Sequence, residues 1–134
     1  MQAIQDNWRH KTIYELEQRD FGTPGDAPTG LVKRCIELTR VPLGQFSIED
    51  LCLMIGQGFS LQYLIPLAIE HLEANLFIEA RYFPGDLLTK ILSAGRDFWL
   101  NNRGLWITIN ELVKGRRPEI EERNIPTGMF DSVW

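Results

Sequence analysis

The chain has 134 residues, 44% of them apolar and 24% charged, and a formal net charge of -4. That length holds one domain with a real core rather than two, and the composition excludes a disordered or fibrous protein. No apolar run approaches the roughly 18 residues of a membrane span, and the N-terminal MQAIQDNWRHK lacks the apolar centre of a secretory leader, which predicts a soluble cytoplasmic protein.

Taken in chain order, the apolar spacing predicts helices and no convincing strand. Thr12 caps a short helix through about Arg19, with Ile13, Leu16 and Trp8 inward, and DFGTPGDAPTG reads as an irregular loop. Thr29 starts a helix from about Leu31 to Thr39, with an inner stripe of Leu31, Cys35 and Leu38 flanked by Val32 and Ile36. Pro42 and Gly44 end it. Ser47 and Asp50 then stand in a capping-box relation, with Glu49 and Asp50 in a first turn where acids favour the helix dipole. That helix stops at the Gly56-Gln57-Gly58 turn, and Leu51, Cys52 and Ile55 face the core.

The next helix, capped by Ser60 and running to about Asn75, is apolar over roughly two thirds of its circumference. Leu61, Leu64, Ile65, Ala68, Leu72 and Leu76 cover one side, and Leu67 and Ile69 widen it. A helix of that kind is packed by several others. Its polar wedge holds Gln62, Tyr63, Glu70 and Glu73, and Pro66 falls there too, where a lost backbone bond to the Gln62 carbonyl is tolerable on a solvent side. His71 reads as a boundary residue.

Pro84, Gly85 and Asp86 open another helix, with Asp86 as a cap and Leu87, Leu88, Ile91 and Leu92 inward. A short helix carries Phe98 and Trp99, and residues 104–113 form one more, with Leu105, Ile109 and Leu112 inward. The tail, residues 115–134, is expected to be irregular with its terminal aromatics pinned to the body. The sum is an all-α, single-domain bundle of about six helices.

The residue types that carry chemistry are sparse. Cys35 and Cys52 lie in helical apolar patterns without a CxxC spacing, which predicts reduced core thiols and a reducing compartment. No nucleotide-binding, metalloprotease or nucleophile-elbow motif occurs, and neither His10 nor His71 has a companion that marks a triad or a metal site. No catalytic residue, cofactor or metal is therefore expected. The acids are unevenly placed: residues 41–80 hold Glu49, Asp50, Glu70, Glu73 and Glu79 and no Lys or Arg. Such a block disfavours nucleic acid and suits a basic protein partner, although a solvated helix face explains it equally.

The stretch SIEDLCLMIGQGFSLQYLIPLAIEHLEAN, followed by YFPGDLL and then by Phe98-Trp99, resembles the immunity proteins of bacterial contact-dependent growth inhibition (CDI) systems. The resembling elements are Ser47 through Gln57, Tyr63 through Glu70, Tyr82 through Leu88, and Phe98-Trp99, and the similarity covers roughly residues 29–100. The resemblance implies a small cytoplasmic protein that binds and blocks the C-terminal toxin domain of a cell-surface delivery protein. Such toxins are frequently nucleases. Many of the matching residues are apolar and serve packing, so the motif marks the fold more than the binding surface.

For that surface the residues themselves point to Tyr63, Glu70 and Glu73 on the polar wedge, with Glu49, Asp50 and Glu79 near in sequence. An acidic face can cover a phosphate-binding site lined by Lys and Arg, and Tyr63 would add rigid contact area. Two other readings remain open at this point: a helical adaptor with an unrelated partner, and an enzyme without a recognisable motif.

Overall fold

The computed structural model describes residues 6–134, with side chains from Trp8 onward; the first five residues of the N-terminal stretch lie outside the described residues. In chain order the helices are α1 (Asp6–Arg9), α2 (Ile13–Glu17), α3 (Gly30–Leu38), α4 (Ile48–Gly56), α5 (Leu61–Ala74), α6 (Asp86–Leu92), α7 (Arg96–Asn101), α8 (Arg103–Val113), α9 (Arg117–Glu122) and α10 (Gly128–Asp131). The all-α class is correct, but the expected six helices become eight among the described residues, besides the single turns α1 and α10.

Local chemistry sets the early boundaries. Thr12 and Glu15 form a reciprocal capping box before α2, and Ser47 and Asp50 form another before α4, each satisfying two backbone donors that a helix start leaves bare. Thr29 accepts from the Val32 N–H to begin α3. Leu31 departs from its expected place: it is exposed, and Cys35, Ile36 and Leu38 form the inner stripe instead. Leu31 sits in the first turn of α3.

Helix α5 is the centre of the bundle and packs against α4, α6 and α8. Six consecutive residues, Leu64, Ile65, Pro66, Leu67, Ala68 and Ile69, are buried. Pro66 therefore lies in the core and not in the solvent wedge. Its apolar ring gains from burial, and the bond it omits belongs to the carbonyl of Gln62, an exposed first-turn residue within reach of water. Ser60 precedes the helix in a left-handed conformation (φ 47°) and makes no side-chain cap. Its hydroxyl instead donates to Glu17 Oε2 at 2.8 Å, tying the start of α5 to the end of α2.

The tail is not irregular. Pro118 stands in the first turn of α9, where a missing N–H costs nothing. Arg117 holds Asp131 with two bonds of 2.9 and 2.7 Å, and the Arg96 guanidinium donates to the Ser132 carbonyl at 2.9 Å. The terminal aromatics are indeed pinned: Phe130 is buried, stacked on Trp106 at 4.8 Å and edge-on to Trp99 at 5.2 Å. The Trp106 indole N–H donates to the Phe130 carbonyl at 3.0 Å, and Trp134 meets Trp106 edge-on at 5.5 Å.

Two measurements check this packing. Phe130→Ala should destabilise the protein by about 3–5 kcal/mol in urea unfolding, the cost of a large ring lost from a filled core; a loss under about 1 kcal/mol would mean the tail is not docked. Cys35 and Cys52 are free and buried, and burial, followed by the nearby Asp86 charge, pushes the Cys52 thiol up to about 11. Neither thiol should react with an aromatic disulfide reagent at pH 8 until denaturant is added.

Candidate functional site

Of the six acids and aromatics singled out from the sequence, three are engaged within the fold. Asp50 is mostly buried: it closes the α4 capping box and pairs with Arg34 of α3 at 3.2 Å. Glu70 pairs with Arg9 of α1. Tyr63 is half-buried, with the Trp8 ring edge-on at 5.4 Å. Helix α1 thus lies along the polar wedge of α5, a packing partner that spacing within α5 could not reveal.

Glu49, Glu73 and Glu79 remain exposed, and none forms an ion pair among the described residues. The acidic block is consequently weaker than its sequence implies, because two of its five charges are offset by arginines from the first 40 residues. Glu49 at the start of α4, Glu73 near the end of α5 and Glu79 in the following loop thus stay as uncompensated carboxylates.

That following loop has a construction of its own. Asp86 is only 1% exposed. Its Oδ1 accepts from the Ala80 N–H at 2.7 Å, and its Oδ2 accepts from the Arg81 and Tyr82 N–H groups at 2.8 Å each. Asp86 is therefore not a helix cap, since Gly85 occupies the N-cap position; its carboxylate brackets the loop that precedes it. Burial pushes the carboxyl up, but the backbone N–H groups of Tyr82, Ala80 and Arg81 outweigh that and hold it below the ordinary aspartate range.

The loop is also closed at its base and supported from behind. Glu79 and Pro84 form an isolated antiparallel bridge, and the Gly85 N–H donates to the Ile78 carbonyl at 3.2 Å. Gly85 has φ +91°, a backbone conformation that favours glycine, and a Cβ there would press on Ile125 Cδ1 at 3.1 Å. Behind it the Phe77 ring carries the Arg123 guanidinium at 4.4 Å and that of Arg116 at 5.2 Å. Tail residues thus hold the loop in place. At its tip Tyr82 is 70% exposed and Phe83 48% exposed, and Arg81 lies over the Tyr82 ring at 5.0 Å.

Elsewhere, a cleft of about 650 Å³ lies between the loop after α2 and the α4–α5 turn, lined among others by Glu17, Asp20, Phe21, Val32, Phe59 and Gln62. Glu17 on its wall accepts from Ser60 and, at 3.4 Å, from Gln62. Among the described residues no three His, Cys, Asp or Glu side chains converge as a metal-ligand set, and no helix is long and apolar enough to cross a membrane.

The model of a protein family described as CDI immunity proteins matches residues 15–109, well over half of the chain. The chain belongs to that family. The match is wider than the resembling motifs, since it takes in the end of α2, the loop after it and α8 as far as Ile109. Comparison with curated proteins and with solved structures gave no significant match.

The bracket sets a pH dependence. Because the Asp86 carboxyl is held below its unfolded value of about 3.9, its contribution to stability is complete above that value and is lost as pH falls through the lower folded value. Asp86→Asn replaces an acceptor with an N–H donor facing other donors. It should cost about 1.5–3 kcal/mol at pH 7, remove hydrogen-exchange protection from the amides of residues 80–82, and flatten the stability profile below pH 4. Unchanged protection of those amides would contradict the bracket.

Proposed function

We propose that this protein is the cytoplasmic inhibitor of the toxin domain at the C-terminus of its cognate CDI delivery protein, and that the toxin is a nuclease. The family match carries the first part, since members of a CDI immunity family exist to neutralise a toxin. The exposed acids support the second: a nuclease binds phosphate through Lys and Arg, and Glu49, Glu73 and Glu79 offer those groups an alternative partner. Tyr63 and Glu70, held against Trp8 and Arg9, would add contact area to that interface. The mechanism is occlusion: a protein bound over a phosphate-binding cleft excludes nucleic acid without any chemistry of its own. Protection inside a cell requires an affinity on the order of nanomolar, or about 12 kcal/mol.

The test is co-purification with the C-terminal domain encoded immediately upstream, followed by rescue of cells that express that domain. Binding with rescue is expected. Neither, with both proteins folded, overturns the reading. In the same assay the triple variant Glu49→Gln, Glu73→Gln, Glu79→Gln should slow association about tenfold and flatten its salt dependence, with dissociation nearly unchanged. Association at the wild-type rate would place the toxin on another face.

A further inference from the structure

We infer that α1 is a displaceable strap over the toxin-binding face, and that a cationic segment of the toxin domain lifts it and takes the places that Arg9 and Trp8 hold on Glu70 and Tyr63. The inference rests on the toxin-binding reading above and deepens it by naming the face that is uncovered and the chemistry that the toxin brings to it.

Helix α1 is a single turn of four residues, far below the length at which a helix stands unaided, and its side chains hold it down. Arg9 pairs with Glu70, and the Trp8 ring stands edge-on to Tyr63; all four residues are partly open to solvent. Among the described residues, the first backbone hydrogen bond from this end of the chain to another element comes only at Lys11, whose carbonyl accepts from the Leu43 N–H at 2.9 Å. Thr12 then closes its capping box, and the Tyr14 N–H donates to the Thr39 carbonyl at 2.9 Å. Lys11 is therefore a fixed hinge. The segment before it rests on side chains and on the close approach of Arg9 to Gly44. The family model begins at residue 15, so Tyr63 and Glu70 belong to the matched part of the chain and their cover does not.

The cover shows what the face takes. Residues 41–80 contain no Lys or Arg, and the cation on Glu70 comes from α1. His10, Lys11 and His71 form no ion pair among the described residues, so Arg9 alone offsets this face. Glu73 lies one turn beyond Glu70 and stays unpaired. A toxin segment with two Lys or Arg and an adjacent apolar side chain reproduces the α1 contacts and adds one at Glu73, and that addition lets it displace α1. A second copy of this chain offers only the same α1, and the resident one, tethered at Lys11, meets the face at the higher effective concentration.

The experiment follows Trp8 in the full chain on addition of the purified toxin domain. Fluorinated tryptophan labels all four tryptophans, and Trp8→Phe assigns the Trp8 fluorine resonance. At saturation that resonance should move to its position in urea-unfolded protein. Trp8→Ala and Arg9→Ala should each bind the toxin about threefold more tightly, because a site that must first be uncovered loses affinity in proportion to its cover. Trp8→Ala decides, since it loosens the strap without altering charge. Wild-type binding with a Trp8 resonance that stays away from the unfolded position, or with Trp8→Ala affinity no better than wild type, overturns the strap and leaves the toxin reading intact. Absence of wild-type binding overturns both. A wild-type dimer in sedimentation that Trp8→Ala converts to monomer also overturns the strap, because α1 then joins two copies. Should Trp8→Ala fail to fold, the wild-type resonance decides alone.

Discussion

Six consecutive buried residues in the middle of α5 are the constraint on which the architecture depends. An amphipathic helix at a surface buries residues three and four apart; a helix that buries residues 64–69 without interruption must be enclosed on nearly every side. Helices α4, α6 and α8 supply most of that enclosure, and α1 approaches the remaining wedge through Trp8 and Arg9. With its circumference so occupied, α5 can tolerate a proline near its start, since neighbouring packing compensates for one missing backbone bond.

The Asp86 carboxylate performs a comparable task at smaller scale. A carboxylate removed from water is costly unless fixed dipoles replace the lost solvation, and here three backbone N–H groups of the preceding turn do so. The same bonds that make the charge acceptable give the turn its shape. Helix α6 presents leucines to the core along its length, and its first residue reaches outward to organise the segment before it. The core and the exposed loop are thereby joined by one side chain.

Much of the fold was legible because it follows from local rules. Thr12, Thr29 and Ser47 cap helices as their spacing indicates, and the leucines of α5 and α6 are inward. What escaped depended on partners distant in sequence. Ser60 looks like a cap, but Glu17, 43 residues earlier, takes its hydroxyl. The tail reads as irregular, yet Pro118 stands in the first turn of a helix. Asp86 sits where a cap is expected, and only the approach of residues 80–82 shows that it serves the loop. The surface was legible in residue type and less so in charge, because Arg9 and Arg34 return to acids they are far from in sequence. Tyr82 and Phe83 carried no signal of exposure, since aromatic residues beside a Pro-Gly turn are equally compatible with burial.

The pairing of Glu70 on α5 with Arg9 on α1 separates two properties that often vary together. The residues that build the core are apolar and most lie on α4, α5, α6 and α8, whereas the net charge of the wedge depends on whether position 9 holds a cation. A single exchange at that position alters the local field by one full charge and disturbs no buried side chain. The charge of that surface can therefore change while the scaffold beneath it stays fixed.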